Sequence, residues 1–466
     1  MQYDLTQGDI KKHIRMLAVP ASIGFFFHTM FNITDTWFAG LISTEALAAL
    51  TLSFPIFFLI ISIAGGMSEA VTALVGNALG EGKRESAQHI MKNALLFAGM
   101  LAIVLTTLGY LFTPFLMRQL GAEGSYLYEA VAYITIIVSG TVLFVFSFFI
   151  NAMLNAQGDT VSFRNILVVS ALLNVVLDYW FIMGGWGVDP MGVEGIALAT
   201  VLIEGITVFY LWFRLGRTPL MRETVPFRYD PAMIAEVMRQ GVPPSLNMAL
   251  TAIGIYIITY YAAPFGQEVV AAFGIGMRVE QILLMPAIGL NVAVLALAAQ
   301  NHGARFHHRI VETVDVALGY GALLAFFGGG ILLGSADIVM ELFSDNRDVI
   351  VEGAVYLRIE ALIIYPFVVI FTYLAMLQGI KRPGFIFYIS IARQVVLPIA
   401  VLSLLAWLDY GVVSIWVGIA AIVTLSAIIT RWYSRRELDR VEHLHGLVRL
   451  DTLEPEEEQE VASRSS

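Results

Sequence analysis

The 466-residue chain has no cysteine, which excludes disulfides and thiolate metal sites. Charge is scarce as well: Asp, Glu, Lys and Arg make up 14% of residues, where soluble domains run near about 25%. There is no HExxH pair and no Walker-type phosphate loop, so neither zinc hydrolysis nor ATP as a direct energy source is expected. His302, His307 and His308 share one loop without a helical metal spacing and read as a solvated loop. No nucleophile–base pair stands out, so the chain does not read as an enzyme. The first apolar run is too long for a cleavable signal and lacks a small-residue cleavage site.

Apolar residues are abundant. They form 58% of the chain, and the mean hydropathy is +0.77. A membrane-crossing helix needs about twenty mostly apolar residues. Twelve such spans are expected near 14–41, 48–79, 89–117, 126–156, 163–184, 192–214, 233–264, 268–300, 309–334, 349–379, 384–407 and 412–433. The fold class is therefore an all-α polytopic membrane protein.

Lys and Arg fix the expected orientation. Lys11, Lys12 and Arg15 precede span 1, and Arg431, Arg435, Arg436 and Arg440 follow span 12. The even-numbered loops and their flanks hold Lys83, Arg84, Arg164, Arg214, Arg217, Arg222, Arg228, Arg305, Arg309, Lys381 and Arg382. Against these eighteen, the odd-numbered loops hold Arg118 and Arg347 alone. Both termini should face the cytoplasm, in a multi-pass protein of the cell (inner) membrane. Six carboxylates between Asp451 and Glu460 against Arg464 mark residues 441–466 as an acidic tail, expected to be disordered.

The chain is an internal repeat. Gly241-Val242-Pro243-Pro244-Ser245 answers Ala18-Val19-Pro20-Ala21-Ser22, and Gln300-Asn301-His302-Gly303 answers Asn77-Ala78-Leu79-Gly80, both 223 residues on. Later matches slip slightly: Gln157-Gly158 with Gln378-Gly379, Asn174 with Gln394, Asp178 with Pro398, Gly192 with Gly411. Six spans per copy give both copies the same orientation, hence parallel repeats about an axis along the membrane normal. Two pseudo-symmetric six-helix bundles result: a first lobe at 1–218, a cytoplasmic linker at 219–231 and a second lobe at 232–440. A cavity between two such bundles suits a transporter.

Within this frame Asp35 lies in span 1, while its repeat mate is Ile258. A carboxylate inside an apolar span is costly and usually functional. By the helical rise, Asp35 and Asp178 each lie about 9 Å, and Thr200 about 12 Å, below the outer surface. Asn174 is one turn from Asp178 on the same face. The four side chains share one layer that can hold a proton, coordinate Na⁺ or meet a cationic drug, or simply bond helix to helix. Glu204, a turn below Thr200, is a candidate relay. Pro20 marks a bend in span 1, as a static kink or a hinge. Ser147, Asn151 and Asn155 recur every four residues in span 4 and form a stripe that can line a substrate cavity or pack between helices. In the second lobe Arg278, Glu280, Arg358, Glu360 and Arg393 mix both signs at mid-membrane depth, as expected of a buried ion-pair network.

Pro20 and Asp35 in span 1, Leu74-Val75-Gly76-Asn77-Ala78-Leu79-Gly80 closing span 2, and Asn174 with Asp178 in span 5 resemble the multidrug and toxic compound extrusion (MATE) transporters. The resemblance covers residues 10–435 and is closest to the bacterial and archaeal branch named for the DNA-damage-inducible member. It implies that Asp35, Asn174, Asp178 and Thr200 form the cation or proton site and that span 1 bends at Pro20. One departure concerns the Na⁺-coupled branch, which places carboxylates in spans 7 and 10; Leu246–Ile258 and Leu362–Tyr373 hold none. The implied function is secondary efflux of hydrophobic or cationic small-molecule drugs and toxic organic cations, coupled to H⁺ or alternatively Na⁺. No cofactor is expected; membrane lipids surround the protein, and neither nucleic acid nor ATP is a partner. A monomer is expected. The rival reading is a flippase for lipid-linked saccharides or another anionic lipid, for which Arg278, Arg358 and Arg393 supply basic groups.

Overall fold

The computed structural model describes residues 4–119, 124–185, 187–222 and 225–450, and the described chain is almost wholly helical. Lipid offers the backbone no hydrogen-bond partner, so each span must satisfy its own N–H and C=O groups. The first half comprises α1 (Ile10–Ile42), α2 (Thr44–Gly80), α3 (Arg84–Gln119), α4 (Gly124–Ser139), α5 (Thr141–Ala156), α6 (Val161–Met183) and α7 (Val193–Gly216). The second comprises α8 (Pro231–Ala262), α9 (Gln267–Gly303), α10 (His307–Leu324), α11 (Gly330–Glu341), α12 (Arg347–Gly379), α13 (Gly384–Ile391), α14 (Leu397–Trp407) and α15 (Val413–Leu450).

Among the described residues eleven helices are long and apolar enough to cross a membrane, and α4 with α5 supply a twelfth span broken by a 44° bend. The bend falls at Gly140, where a side chain would run 2.6 Å from Val201, so glycine both permits the turn and lets α7 approach. Two further spans keep one direction through a short π-helical turn: Ala325–Gly329 joins α10 to α11, and Ala392–Val396 joins α13 to α14. Side-chain caps set several starts. Asp9 accepts the Lys11 N–H of α1, Ser43 the Ala46 N–H of α2, and Asp230 the Ala232 and Met233 N–H groups of α8.

The helix that holds the twelfth span is longer than the span expected near 412–433. Helix α15 continues to Leu450, ten residues into the segment read as tail, because Tyr433, Leu438 and Val441 extend its packing face beyond the apolar run. The acidic residues 451–466 lie outside the described residues.

The lobes meet along α1–α9, α2–α8 and α2–α9, and the contact is reciprocal. A Cβ on Gly80 would lie 1.9 Å from the Gln300 carbonyl oxygen, and one on Gly303 would lie 2.0 Å from that of Asn77. Gly303 is the repeat mate of Gly80, and Gln300 that of Asn77. Nearer the membrane centre Gly66 rests on the Ser245 backbone, while its mate Gly289 rests on Ala18 and Ser22. Gly76 meets its own mate, Ala299, on the axis. Only glycine allows backbones this close. Side chains lock the same end: Asn77 Nδ2 donates to the Gly379 carbonyl (2.8 Å), Gln300 Nε2 to that of Ala156 (2.7 Å), and the Leu5 N–H to Gln300 Oε1 (3.0 Å). The inter-lobe seam is thus sealed on the face that carries the N-terminus.

Candidate functional site

The structure brings Asp35, Asn174, Asp178 and Thr200 together. Asn174 Nδ2 donates to Asp35 Oδ1 at 2.7 Å and to Asp178 Oδ2 at 3.0 Å, so one amide bridges both carboxylates. The single Thr200 hydroxyl proton is shared between Asp35 Oδ2 at 3.3 Å and the Ile196 carbonyl of its own helix at 3.0 Å. Helices α1, α6 and α7 are thereby tied at one level. All four residues are buried, Asn174 and Asp178 fully. Among the described residues Asn174 Oδ1 and Asp178 Oδ1 find no donor. A buried polar atom without a partner is costly. The spare Asn174 carbonyl oxygen together with the two carboxylates forms an oxygen-rich site suited to a proton or a small cation. No cluster of three His, Asp or Glu groups fit to hold a metal occurs among the described residues, so any Na⁺ would lean on Asn174 and Thr200 oxygens.

Tyr133 of α4 is buried beside the pair, close enough to feel both carboxylates. Sequence reasoning missed it because one tyrosine in an apolar helix carries no local signal. Glu204 faces Ser147, a contact between α7 and α5. Ser147 is buried and donates to the Phe144 carbonyl of its own helix (3.0 Å). Asn151 and Asn155 leave their carboxamide oxygens without a donor. Pro20 is buried within α1 on the sealed half of the molecule.

The second-lobe network divides differently from the expectation. Arg358 pairs with Asp337 of α11, a residue outside the expected network. Glu360 is turned inward and fixed at 5% exposure, while Arg358 faces outward. Arg278 takes no ion-pair partner among the described residues, because it lies on the exposed side of α9. What remains together is Glu280, Glu360 and Arg393, with Tyr356 between them. The Tyr356 hydroxyl donates to Glu280 at 3.0 Å and also faces Glu360, and Arg393 stands near Glu280 from the π-helical turn. Aromatic packing holds Tyr356: Phe273 lies edge-on at 5.5 Å and Trp416 at 5.1 Å. The signal available beforehand was the spacing of Tyr356 and Glu360, four residues apart on one helix face.

Comparison with known proteins agrees with this architecture. The MatE family model matches residues 20–180 and 243–405, one match per lobe. A Bacillus subtilis protein named as probable multidrug resistance protein YoeA is 29% identical over 63% of this chain and 63% of its own length. One named as probable multidrug resistance protein NorM from Thermotoga maritima is 26% identical over 89% of each chain. A FAD transporter of Shewanella oneidensis is 26% identical over 88% of this chain and 91% of its own. A solved outward-facing multidrug resistance MATE family transporter of the MOP superfamily superposes with a TM-score of 0.88 at 23% identity, over 95% of this chain and 99% of that one. With both lobes matched, the chain belongs to the MATE family and is a membrane transporter, not an enzyme.

Proposed function

We propose that this protein is a secondary active multidrug antiporter, exporting hydrophobic and cationic small molecules in exchange for inward H⁺, with Na⁺ the alternative ion at the same oxygens. The observation that carries the reading is the single Asn174 amide shared by Asp35 and Asp178, with two acceptor oxygens left over. In a low-dielectric bundle two adjacent carboxylates cannot both stay ionised without a proton or cation between them. The pair therefore titrates as a unit. The names of the relatives support a drug-like substrate, and the Lys and Arg bias supports cytoplasmic termini in the cell membrane. On that orientation the glycine seam closes the cytoplasmic side and the site addresses the outside.

Ion binding would change which bonds Asn174 and Thr200 can make to Asp35, and so the docking of α1 on α6 and α7. Only a difference in ion affinity between the two arrangements can drive the change. Pro20 lacks an N–H and weakens α1 where its two halves must move independently. The lobes at 1–218 and 232–440 would then rock about the linker at 219–231, with Ser147, Asn151, Asn155 and Glu204 available to substrate in the first lobe.

Drug efflux from proteoliposomes under separately imposed H⁺ and Na⁺ gradients tests this reading. A response to the proton gradient is expected. A protein that ignores both gradients is not a coupled antiporter. A second reading, an anionic-lipid flippase, is favoured by one observation: Arg278 has no acidic partner among the described residues. Lipid scrambling without drug efflux would select it.

A further inference from the structure

A carboxylate that the coupling layer does not use lies on the seam between the lobes. Glu69 of α2 sits eleven residues before the helix end at Gly80, about 16 Å from it by the helical rise. Its Oε2 accepts Gln378 Nε2 of α12 at 2.7 Å, so the bond crosses from one lobe to the other. Neither partner is duplicated in role. The repeat mate of Glu69 is Val292, and Gln157, the mate of Gln378, spends its amide on the Met153 carbonyl of its own helix (3.0 Å). Gln378 is 6% exposed, and its Oε1 has no donor. Among the described residues, no charged side chain of α1, α3, α4, α5, α8, α9 or α12, the elements packed on α2, makes an ion pair with Glu69. His302 of α9 belongs to the same seam but is engaged by Asn77 Oδ1 at 2.6 Å.

We propose that Glu69 is a second proton-binding group, whose protonation is linked to closure of the lobes on the side of the glycine seam. A neutral amide can serve both states of the acid. The carboxylate accepts from Nε2 as seen; the protonated acid needs an acceptor, and a half-turn of the Gln378 amide presents the spare Oε1 to it. The neutral acid suits the closed seam, where Glu69 is half-buried against the buried Gln378, whereas the ionised form gains further hydration when the lobes part. Proton binding therefore favours the closed seam, and loss of the proton favours opening. This goes beyond the site around Asp35, because it assigns a proton to the gate and not to the outer layer.

The absence of native cysteines makes a distance measurement direct. Spin labels at Glu85→Cys in α3 and His308→Cys in α10, both exposed, report the separation of the lobes on that face. In the otherwise wild-type protein the open population is expected to rise with pH, by at most about tenfold per unit for one proton. Glu69→Gln keeps the cross-lobe hydrogen bond but cannot titrate; made in an Asp35→Asn background, where the outer layer is silenced, it is expected to hold one distance distribution at every pH, whereas Asp35→Asn alone keeps a response. A purely structural latch would leave the pH response unchanged in Glu69→Gln, which overturns the proposal. Gln378→Leu should displace the midpoint while keeping the response; an unmoved midpoint contradicts the partnership. A response lost in Asp35→Asn but intact in Glu69→Gln would assign it to the outer layer alone. The readout is a distance, so it is decided separately from the antiport reading.

Discussion

The two lobes share a fold but not a chemistry. At the level where the first lobe gathers Asp35, Asn174, Asp178 and Thr200, the second has Ile258, Gln394 and Pro398. Gln394 answers Asn174 yet bonds a neighbouring hydroxyl, Thr251 Oγ1, at 3.0 Å, and no carboxylate stands where Asp35 and Asp178 stand. The second lobe instead collects two acids, the half-buried Glu280 and the buried Glu360, on α9 and α12 around Tyr356, with Arg393 close enough to offset part of the charge of Glu280. Where the repeats touch, by contrast, they remain equivalent: Gly80 and Gly303 make the same contact, as do Gly66 and Gly289. Duplication has been kept where the lobes must pack and abandoned where they bind.

Asp35→Asn strikes this asymmetry hardest. It keeps the shape and removes the titrating group, so coupled efflux should fall to background while the protein still folds. Adding Ile258→Asp to Asp35→Asn should not restore transport, because the mates of Asn174 and Asp178 offer no matching shell; rescue would mean that the lobes are interchangeable. Efflux assays at matched expression decide both. Glu280→Gln and Glu360→Gln should each cost less than about tenfold in turnover, or about 1.4 kcal/mol. If either matches Asp35→Asn, the second lobe carries the coupling. Glu204→Gln belongs with this milder group.

The packing half of the comparison calls for equal effects. Gly80→Ala and Gly303→Ala each drive a methyl group into a carbonyl oxygen of the other lobe, an overpacking of about 1–3 kcal/mol against the sealed arrangement. Both should open the seam to a similar extent, read as accessibility of single cysteines placed there. Unequal effects would show that the seam is not symmetric in energy. Pro20→Ala should slow turnover more than it weakens drug binding, since regaining a helix hydrogen bond favours a straight α1. Equal turnover would remove Pro20 from the mechanism.

Much of this was legible in the sequence because the repeat supplied an internal control. The expected span near 126–156 matches the bent pair α4–α5 to within two residues, and Asp35 stood out against Ile258. The four first-lobe residues could be placed in one layer from helical rise alone. Their bridging by a single amide could not, since it depends on rotamers. The division of the second-lobe charges was hidden for a related reason. Arg358 finds Asp337 on α11, the helix that follows a π-helical turn, and such a turn rotates the face of every later residue without leaving a periodic mark. Gln378 and Glu69 lie 309 residues apart, beyond any local pattern.

The smallest expected effect concerns the linker that joins the lobes. The His89 ring beside Asp230, aided by the Met233 N–H, holds that carboxyl below its ordinary range. A lowered carboxyl contributes stability above its unfolded range and loses it as pH falls through the lowered value. Anchoring of the linker to α3 through His89 and Asn93 should therefore be constant near neutrality and loosen in acid. Asp230→Ala should abolish that acid dependence of linker protease sensitivity while leaving transport nearly unchanged. A large transport defect would give the linker a role that the lobes do not require.

The central claim is that an acid pair in one lobe exchanges protons against substrate. The most direct measurement is proton release on adding substrate to detergent-solubilised protein in weak buffer. Release is expected from the wild type, and its loss in both Asp35→Asn and Asp178→Asn. Undiminished release in those two variants, or transport that follows a Na⁺ gradient and ignores pH, would contradict proton coupling at the Asp35 layer.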